Sequence, residues 1–462
     1  MRRSIHGVAL IAMVAALAAC SDTPTSIVPA DPQAATPTAP ALADQGTLPA
    51  FAGASGEEMR HLVVFMNRAP ADFEAQVEAL GGTVVLSHQI GVAVVTGLDS
   101  DGAAALKSDK ATRYVIEDGN FRLIEPDAVS EPTPLGIESA EDPSTAAYYF
   151  AQWNMRQIHA DGAWAAGRLG SPGVTVAILD TGIDYLLPDM AGRVDLSRSA
   201  SFVPLDDLYT AYYFPGRHPS TDLHFHGTNV ATQVASNALF FAGVTSKTTL
   251  MSVKVCSFRG GCPGVVEGIL FAIDQGADVI NMSLGGTFKK SDYPGAVAFY
   301  NRIMNYAKQR GVTIVVSAGN EASDLQRDTN IFKTYCDATH VICVAATGPS
   351  GDPASYTNFG RSAIDVAAPG GEGVSGGWIY SLCPQTSLYF YCEDDYYFVG
   401  VVGTSQAAPH VSGLAALAVE DVGRSPSKVS RYIRNSADAI GGGNTAYYGK
   451  GLINVARAVG AM

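Results

Sequence analysis

The sequence predicts an α/β protein built on a parallel, doubly wound sheet with helices on both faces, preceded by a small α+β unit. Apolar runs recur from about residue 148 onward, at 174–179, 250–255, 278–284, 312–318 and 340–346. Helix-patterned stretches at 227–238, 263–275, 295–310 and 405–420 lie between or after them. Strands apolar at nearly every position, separated by helices, belong to a parallel sheet covered on both sides. Composition agrees: 462 residues, 47% hydrophobic and 16% charged, suit a folded chain with a sizeable core.

Taken in order, the chain opens with "MRR" and the apolar run "VALIAMVAALAA" (8–19), too short for a comfortable membrane span. Residues 1–20 therefore form an export signal ending in "LAAC", with a plain secretory signal and a lipid-attachment signal at Cys20 as the two alternatives. Residues 21–59, rich in Pro, Ala, Thr and Ser, make a flexible tether. In 60–125 a strand (61–66), a helix (70–82) closed by glycine, two strands around a turn, a second helix and a strand at 113–124 follow in the order β-α-β-β-α-β, a ferredoxin-like arrangement. Residues 126–147, acidic and proline-bearing, form a linker, and 148–462 carry the large sheet.

The net charge of −14 argues against a nucleic-acid partner, which demands a basic surface. Seven cysteines are odd, and setting Cys20 aside leaves three close pairs: Cys256 with Cys262, Cys336 with Cys343, Cys383 with Cys392. In an exported chain these predict local disulfides, although other connectivities are open. No C-x-x-C or histidine-rich spacing supports a metal cluster instead.

In a parallel sheet, chemistry lies beyond the carboxyl ends of the strands. Asp180 ends the first strand of the large sheet, in "VAILDTGID", where a carboxylate is costly unless paired, though "DTG" is also good turn chemistry. His226, in "HFHGT", precedes a helix and can face Asp180; His224 two residues earlier makes H-x-H, with no third metal ligand evident. Asn320 ends "VTIVVSAGN", where an amide can donate to an oxygen gaining charge. Ser405, in "GTSQAAPHVSG", sits at a helix start, whose N–H groups favour both a nucleophile and its oxyanion, or an ordinary N-cap.

Together, "DTGID", "HGT", "SAGN" and "GTSQAAPHV", in that order and in those settings, resemble the subtilisin-like serine proteases from about residue 148 to the closing "GKGLINVARAV". The resemblance implies that Ser405 attacks the scissile carbonyl, His226 transfers the proton, Asp180 orients the imidazole, and Asn320 with the Ser405 N–H binds the oxyanion. It implies that Ser283, Leu284 and Gly285 pair with an extended substrate, with Ser317, Ala318 and Gly319 along the opposite wall. "LAAC" resembles a bacterial lipobox, and the 60–125 unit resembles the family's inhibitor-type propeptide. The expectation is thus a monomeric, broad endopeptidase of proteins and peptides, apolar before the cut. It would be made as a self-processing zymogen, cut between about residues 125 and 148. A lipid on Cys20 would tether the precursor to a bacterial membrane, and the mature enzyme would be periplasmic or extracellular. Calcium is not needed for the chemistry; Asp189 matches one calcium ligand of many relatives, but 234–244 is shorter than their calcium loop. Gln406 and Asn229 depart from the usual methionine and histidine.

Two rival readings fit the sequence less well. An esterase would use "GVSGG" around Ser375, but no strand precedes it and the only later histidine is His410, inside the Ser405 helix. A catalytically dead binding domain would have lost one of the four residues, and none is missing.

Overall fold

The computed structural model describes residues 59–462 apart from 119–120, 125–127, 130–132, 135–141, 327–329, 334, 374–375, 390–391, 393–396, 441 and 443–444. Cys20, the signal, the tether and Ser375 lie outside the described residues. Among the described residues no helix is long and apolar enough to cross a membrane.

The small unit comprises β1 (Arg60–Phe65), α1 (Phe73–Ala79), β2 (Thr83–His88), β3 (Val92–Thr96), α2 (Ser100–Ser108) and β4 (Thr112–Glu117). Its antiparallel sheet runs β2-β3-β1-β4. The alternation of a strand explains why β1 is apolar on both faces from Leu62 to Phe65. Val63 and Phe65 face Phe73, Val77 and Leu106 of its own helices, while Leu62 and Val64 join the core of the large unit. The strand expected at 113–124 is two elements. Asp-Gly-Asn at 118–120 is turn chemistry, and beyond it β5 (Arg122–Leu123) leaves the small sheet to pair elsewhere.

The large unit carries β6 (Thr175–Asp180), β7 (Ala200–Ser201), α3 (His226–Val234), β8 (Thr249–Lys254), α4 (Val265–Asp274), β9 (Val279–Met282), β10 (Leu284–Gly285), α5 (Ala296–Gln309), β11 (Thr313–Ser317), β12 (Val341–Thr347), β13 (Val366–Pro369), β14 (Tyr397–Val402) and α6 (Thr404–Val422). Its seven-stranded sheet runs β13-β12-β11-β9-β6-β8-β7, parallel at every pairing. From β6 the chain goes first to the sheet edge as β7, then fills the place between them as β8 and crosses to β6's other side as β9; that reversal opens a crevice at the carboxyl edge. Helix α6 is buried from Thr404 to Val419, running against β9, β11, β12 and α3. Gly413 permits the closeness: a Cβ there would lie 2.6 Å from the Val244 Cβ. The helix expected at 227–238 stops at Val234, because Ala235 bridges to Thr245 instead. Disulfides join Cys256–Cys262, Cys336–Cys343 and Cys383–Cys392.

Candidate active site

Asp180 ends a strand buried at every position. Its Oδ1 accepts the Nδ1–H of His226 at 2.8 Å and the N–H of Thr181 at 2.8 Å. Both side chains are fully buried, so the carboxylate's desolvation is offset by these donors. A second carboxylate locks this juxtaposition. Asp222 accepts from Thr181 Oγ1 (2.9 Å), from Thr228 through its N–H (2.9 Å) and Oγ1 (2.6 Å), and from the His224 N–H (2.8 Å). Thr181 Oγ1 in turn accepts the Gly227 N–H at 2.9 Å, tying the end of β6 to the start of α3. The glycines of "DTG" and "HGT" allow that approach: Gly182 has φ +110°, and a Cβ on Gly227 would lie 2.1 Å from the Gly182 carbonyl.

His224 is structural. Its ring stacks on Phe225 (4.5 Å) and lies tilted against Tyr389 (4.0 Å), and its Nδ1 accepts the His226 N–H at 3.3 Å. Burial, reinforced by His226, pushes its pKa well below the ordinary histidine value, so it stays neutral. Among the described residues no group of three His, Cys, Asp or Glu could hold a metal ion. Asp189 explains why the shortened 234–244 loop does not fit calcium: its carboxylate accepts the N–H groups of Leu239, Phe240 and Phe241 at 2.8, 3.0 and 3.0 Å. Backbone donors occupy the positions where a cation would need oxygens.

Ser405 is not the N-cap that its sequence setting suggested. The helix begins at Thr404, with Gly403 in the cap position. The Ser405 hydroxyl donates instead to the Ile124 carbonyl at 2.9 Å, with the Ser283 carbonyl at 3.4 Å. Pro409, four residues on, has no N–H for the Ser405 carbonyl; the Ser283 hydroxyl supplies that donor at 2.8 Å. The two departures from the family pattern meet each other, since Gln406 Nε2 donates to Asn229 Oδ1 at 3.5 Å across the α3–α6 contact.

Asn320 follows β11. Its amide oxygen accepts from Thr404 twice, N–H at 2.9 Å and Oγ1 at 2.8 Å, while Thr404 Oγ1 accepts the Gly319 N–H at 3.0 Å. The loop after β11 is thereby fastened beside Ser405. Ser317, Ala318 and Gly319 have their main chain turned to β12, Asn358 and Thr404: the Ala318 N–H reaches the Val344 carbonyl and Asn358 Nδ2 the Ala318 carbonyl. They form the β11 wall that packs against β10.

The crevice holds the chain's own residues 121–124. On one side Leu123 and Arg122 pair antiparallel with Leu284 and Gly285. On the other the Leu123 N–H donates to the Gly260 carbonyl (3.1 Å) and the Cys262 N–H to the Phe121 carbonyl (3.0 Å). Ile124 then presents its carbonyl to Ser405. Sequence reasoning found the β10 side but missed 260–262; the signal was "GGC", two residues without side chains next to a cysteine. It also missed Thr404 and Asp222, whose roles depend on partners far away in the sequence. Farther along, Ala128–Val129 and Thr133–Pro134 pair antiparallel with β14, the strand that leads into Ser405.

Comparisons with known proteins agree with this layout. A family model described as the subtilase family matches residues 171–451. Thermitase of Thermoactinomyces vulgaris is 36% identical over 315 residues, covering 67% of this chain and 97% of thermitase. Subtilisin E of Bacillus subtilis (strain 168) is 31% identical over 414 residues, covering 87% of this chain and 91% of its own. The solved structure of an epidermin leader peptide processing serine protease from Staphylococcus aureus superposes with a TM-score of 0.70 over 87% of this chain and 98% of that one; at 22% identity the likeness is one of fold.

Proposed function

This chain belongs to the subtilase family and is a serine endopeptidase, and we propose that Ser405, His226 and Asp180 are its nucleophile, general base and orienting acid. The observation that carries the proposal is the fully buried Asp180–His226 bond of 2.8 Å, set in the crevice where the Ser405 hydroxyl meets a peptide carbonyl 2.9 Å away. In the proposed reaction Ser405 gives its proton to His226 Nε2 as its Oγ bonds to the carbonyl carbon. His226 returns the proton to the leaving amine, and water then hydrolyses the acyl-enzyme. Asp180 holds the Nδ1–H tautomer and offsets the imidazolium charge. Asn320, whose amide oxygen is engaged by Thr404, gives an amide N–H to the oxyanion together with the Ser405 N–H at the helix start.

Substrates are proteins and peptides bound extended, main chain to main chain, between Leu284–Gly285 and Gly260–Cys262. Such pairing depends little on side chains and suits a broad endopeptidase. The 60–125 unit acts as an intramolecular inhibitor whose tail fills the crevice until the chain cuts itself. With Cys20 lipidated, the anchor stays on the inhibitor side of that cut and maturation frees the catalytic part. Membrane fractionation of cells making wild type or Ser405→Ala tests release; equal retention of both catalytic parts would count against it.

Turnover of casein by the purified, matured protein tests the assignments. Ser405→Ala should abolish it. Asp180→Asn should lower kcat by about 10⁴-fold. Asn320→Ala should lower kcat by about 10²–10³-fold with KM little changed, the scale established for this kind of donor in a related subtilisin. Wild-type turnover in Ser405→Ala would end the proposal.

A further inference from the structure

We infer that a cleft at the amino edge of the large sheet, at the opposite end of the strands from Ser405, is a binding site for a phosphate-bearing anion. Nothing in the inference depends on which residues perform the hydrolysis. The last residues of β11 face the candidate active site, whereas Thr313 and Val341, the first residues of β11 and β12, line a cleft of about 540 Å3. That volume suits a small molecule.

Charge is the first support. The chain carries a net charge of −14, yet Lys308, His340, Arg431, Arg434 and Lys450 gather around this cleft. Among the described residues that line it, Asp365 is the one carboxylate, and it is already engaged. Its Oδ1 accepts from Arg434 at 3.1 Å and its Oδ2 takes the Cys343 N–H at 2.9 Å. Burial, reinforced by Lys308, pushes the His340 pKa below the ordinary histidine value, so a neighbouring side chain already feels the excess positive charge. Arg431 and Arg434, three positions apart, share one face of the helix Pro426–Ser436, where like charges repel. An anion seated between them turns that repulsion into attraction.

The second support is what the cleft offers besides charge. The helix presents its amino end there through Pro426 and Ser427, and Ser425 in the cap position makes no side-chain bond to the first turn. The partial positive charge at such an end favours an oxyanion. On the sheet side, Thr313 is 2% exposed, and its buried hydroxyl meets no hydrogen-bond partner among the described residues. A buried hydroxyl left without a partner is uncommon, and this one has a proton to donate. Arginine forks, lysines, a helix end and a hydroxyl are together the groups that recognise phosphoryl oxygens. A ligand held there ties the helix Pro426–Ser436 to the end of α5 and to the starts of β11 and β12, so binding should stabilise the fold.

Calorimetric titration of sodium pyrophosphate into the purified protein, in about 0.15 M NaCl, tests the site. One saturable site with a Kd of about 1 mM or tighter is expected, together with a higher Tm than in NaCl of equal ionic strength. Arg431→Gln combined with Lys450→Gln changes two exposed side chains. It should weaken binding about tenfold or more and leave casein turnover at the wild-type level. Cosedimentation with vesicles of phosphatidylglycerol in phosphatidylcholine separates two sources of such a group. Pelleting that pyrophosphate displaces assigns a lipid headgroup, and calorimetric binding without pelleting assigns a soluble phosphate. No saturable heat on wild type, a reading that needs no variant to fold, overturns the inference, as do equal affinities for wild type and the double variant.

Discussion

At the scale of single residues, the site is held by side chains that compensate for one another. Pro409 deprives the Ser405 carbonyl of its helical donor and Ser283 replaces it at 2.8 Å, so Ser283→Ala should leave a buried carbonyl unsatisfied. We expect about 1–3 kcal/mol of lost stability in urea unfolding, accompanied by a fall in kcat because the backbone of Ser405, the proposed nucleophile, is loosened. His410 sits deeper in the same helix. Its Nδ1–H donates to the Gln406 carbonyl at 2.7 Å and its Nε2 accepts from Asn154 at 2.9 Å. Burial pushes its pKa down to about 4 from 6.5. The unfolded chain therefore binds the extra proton first. The stability tied to neutral His410 is complete above pH 6.5 and disappears as pH falls toward 4, about 3 kcal/mol in all. Asp118 and Asp189, whose carboxyls burial pushes up to about 6, oppose it in that window. The quantity to measure is thus the difference in unfolding free energy between wild type and His410→Gln, which should change by that amount from pH 6.5 to 4. The residues that could react were legible because their neighbours in sequence are distinctive. Ser283, Thr404 and Asp222 were legible as letters but not as partners, since the bonds that join distant loops through them span 41, 84 and 122 positions.

At the scale of elements, strands apolar at nearly every position were readable, and their carboxyl ends pointed to the candidate site. The division of 113–124 was not, because periodicity reports whether a residue is buried and not which element buries it: Ile116 and Leu123 both lie in the core, on opposite sides of the division. The edge at 260–262 escaped because glycines carry no pattern. It starts where Val255 and Cys256 donate to the Asp180 carbonyl, at 2.9 and 3.1 Å, and the Cys256–Cys262 disulfide closes it. Removing that bridge, as Cys256→Ala with Cys262→Ala, should raise KM for extended peptides about tenfold while leaving hydrolysis of a single-residue ester nearly unchanged. Equal losses on both substrates would show that the bridge supports the triad and not the binding edge. In the 239–241 loop three backbone N–H groups take the place of a cation before the Asp189 carboxylate, so Asp189→Asn should cost about 2 kcal/mol. That loss should be the same with calcium or with chelator in thermal melts; a calcium-dependent loss would contradict the arrangement.

At the scale of the whole molecule, the central strands β1 and β3 of the small sheet are buried on both faces, one against the unit's own helices and one in a core shared with α4 and α5. Polar ties rim the second face. Arg60 reaches Glu267 at 2.6 Å, His88 reaches Asp274 at 3.0 Å, and Arg302 donates to the Phe65 and Gly91 carbonyls at 2.8 Å each. The β-α-β-β-α-β order of this unit was readable, whereas its docking face was not, since an all-apolar strand does not say who covers its outer side. Residues 59–124 added to the matured enzyme should inhibit it, and Arg302→Ala in the enzyme should weaken that inhibition, measured as a rise in inhibition constant of about tenfold. Every part of this assembly points the Ile124 carbonyl at one hydroxyl. The most direct measurement is the mapping of a fluorophosphonate onto the matured protein by peptide mass spectrometry. The account predicts a single adduct on Ser405, absent from Ser405→Ala and formed far more slowly in Asp180→Asn; an adduct on another serine, or none on the matured wild type, would contradict it.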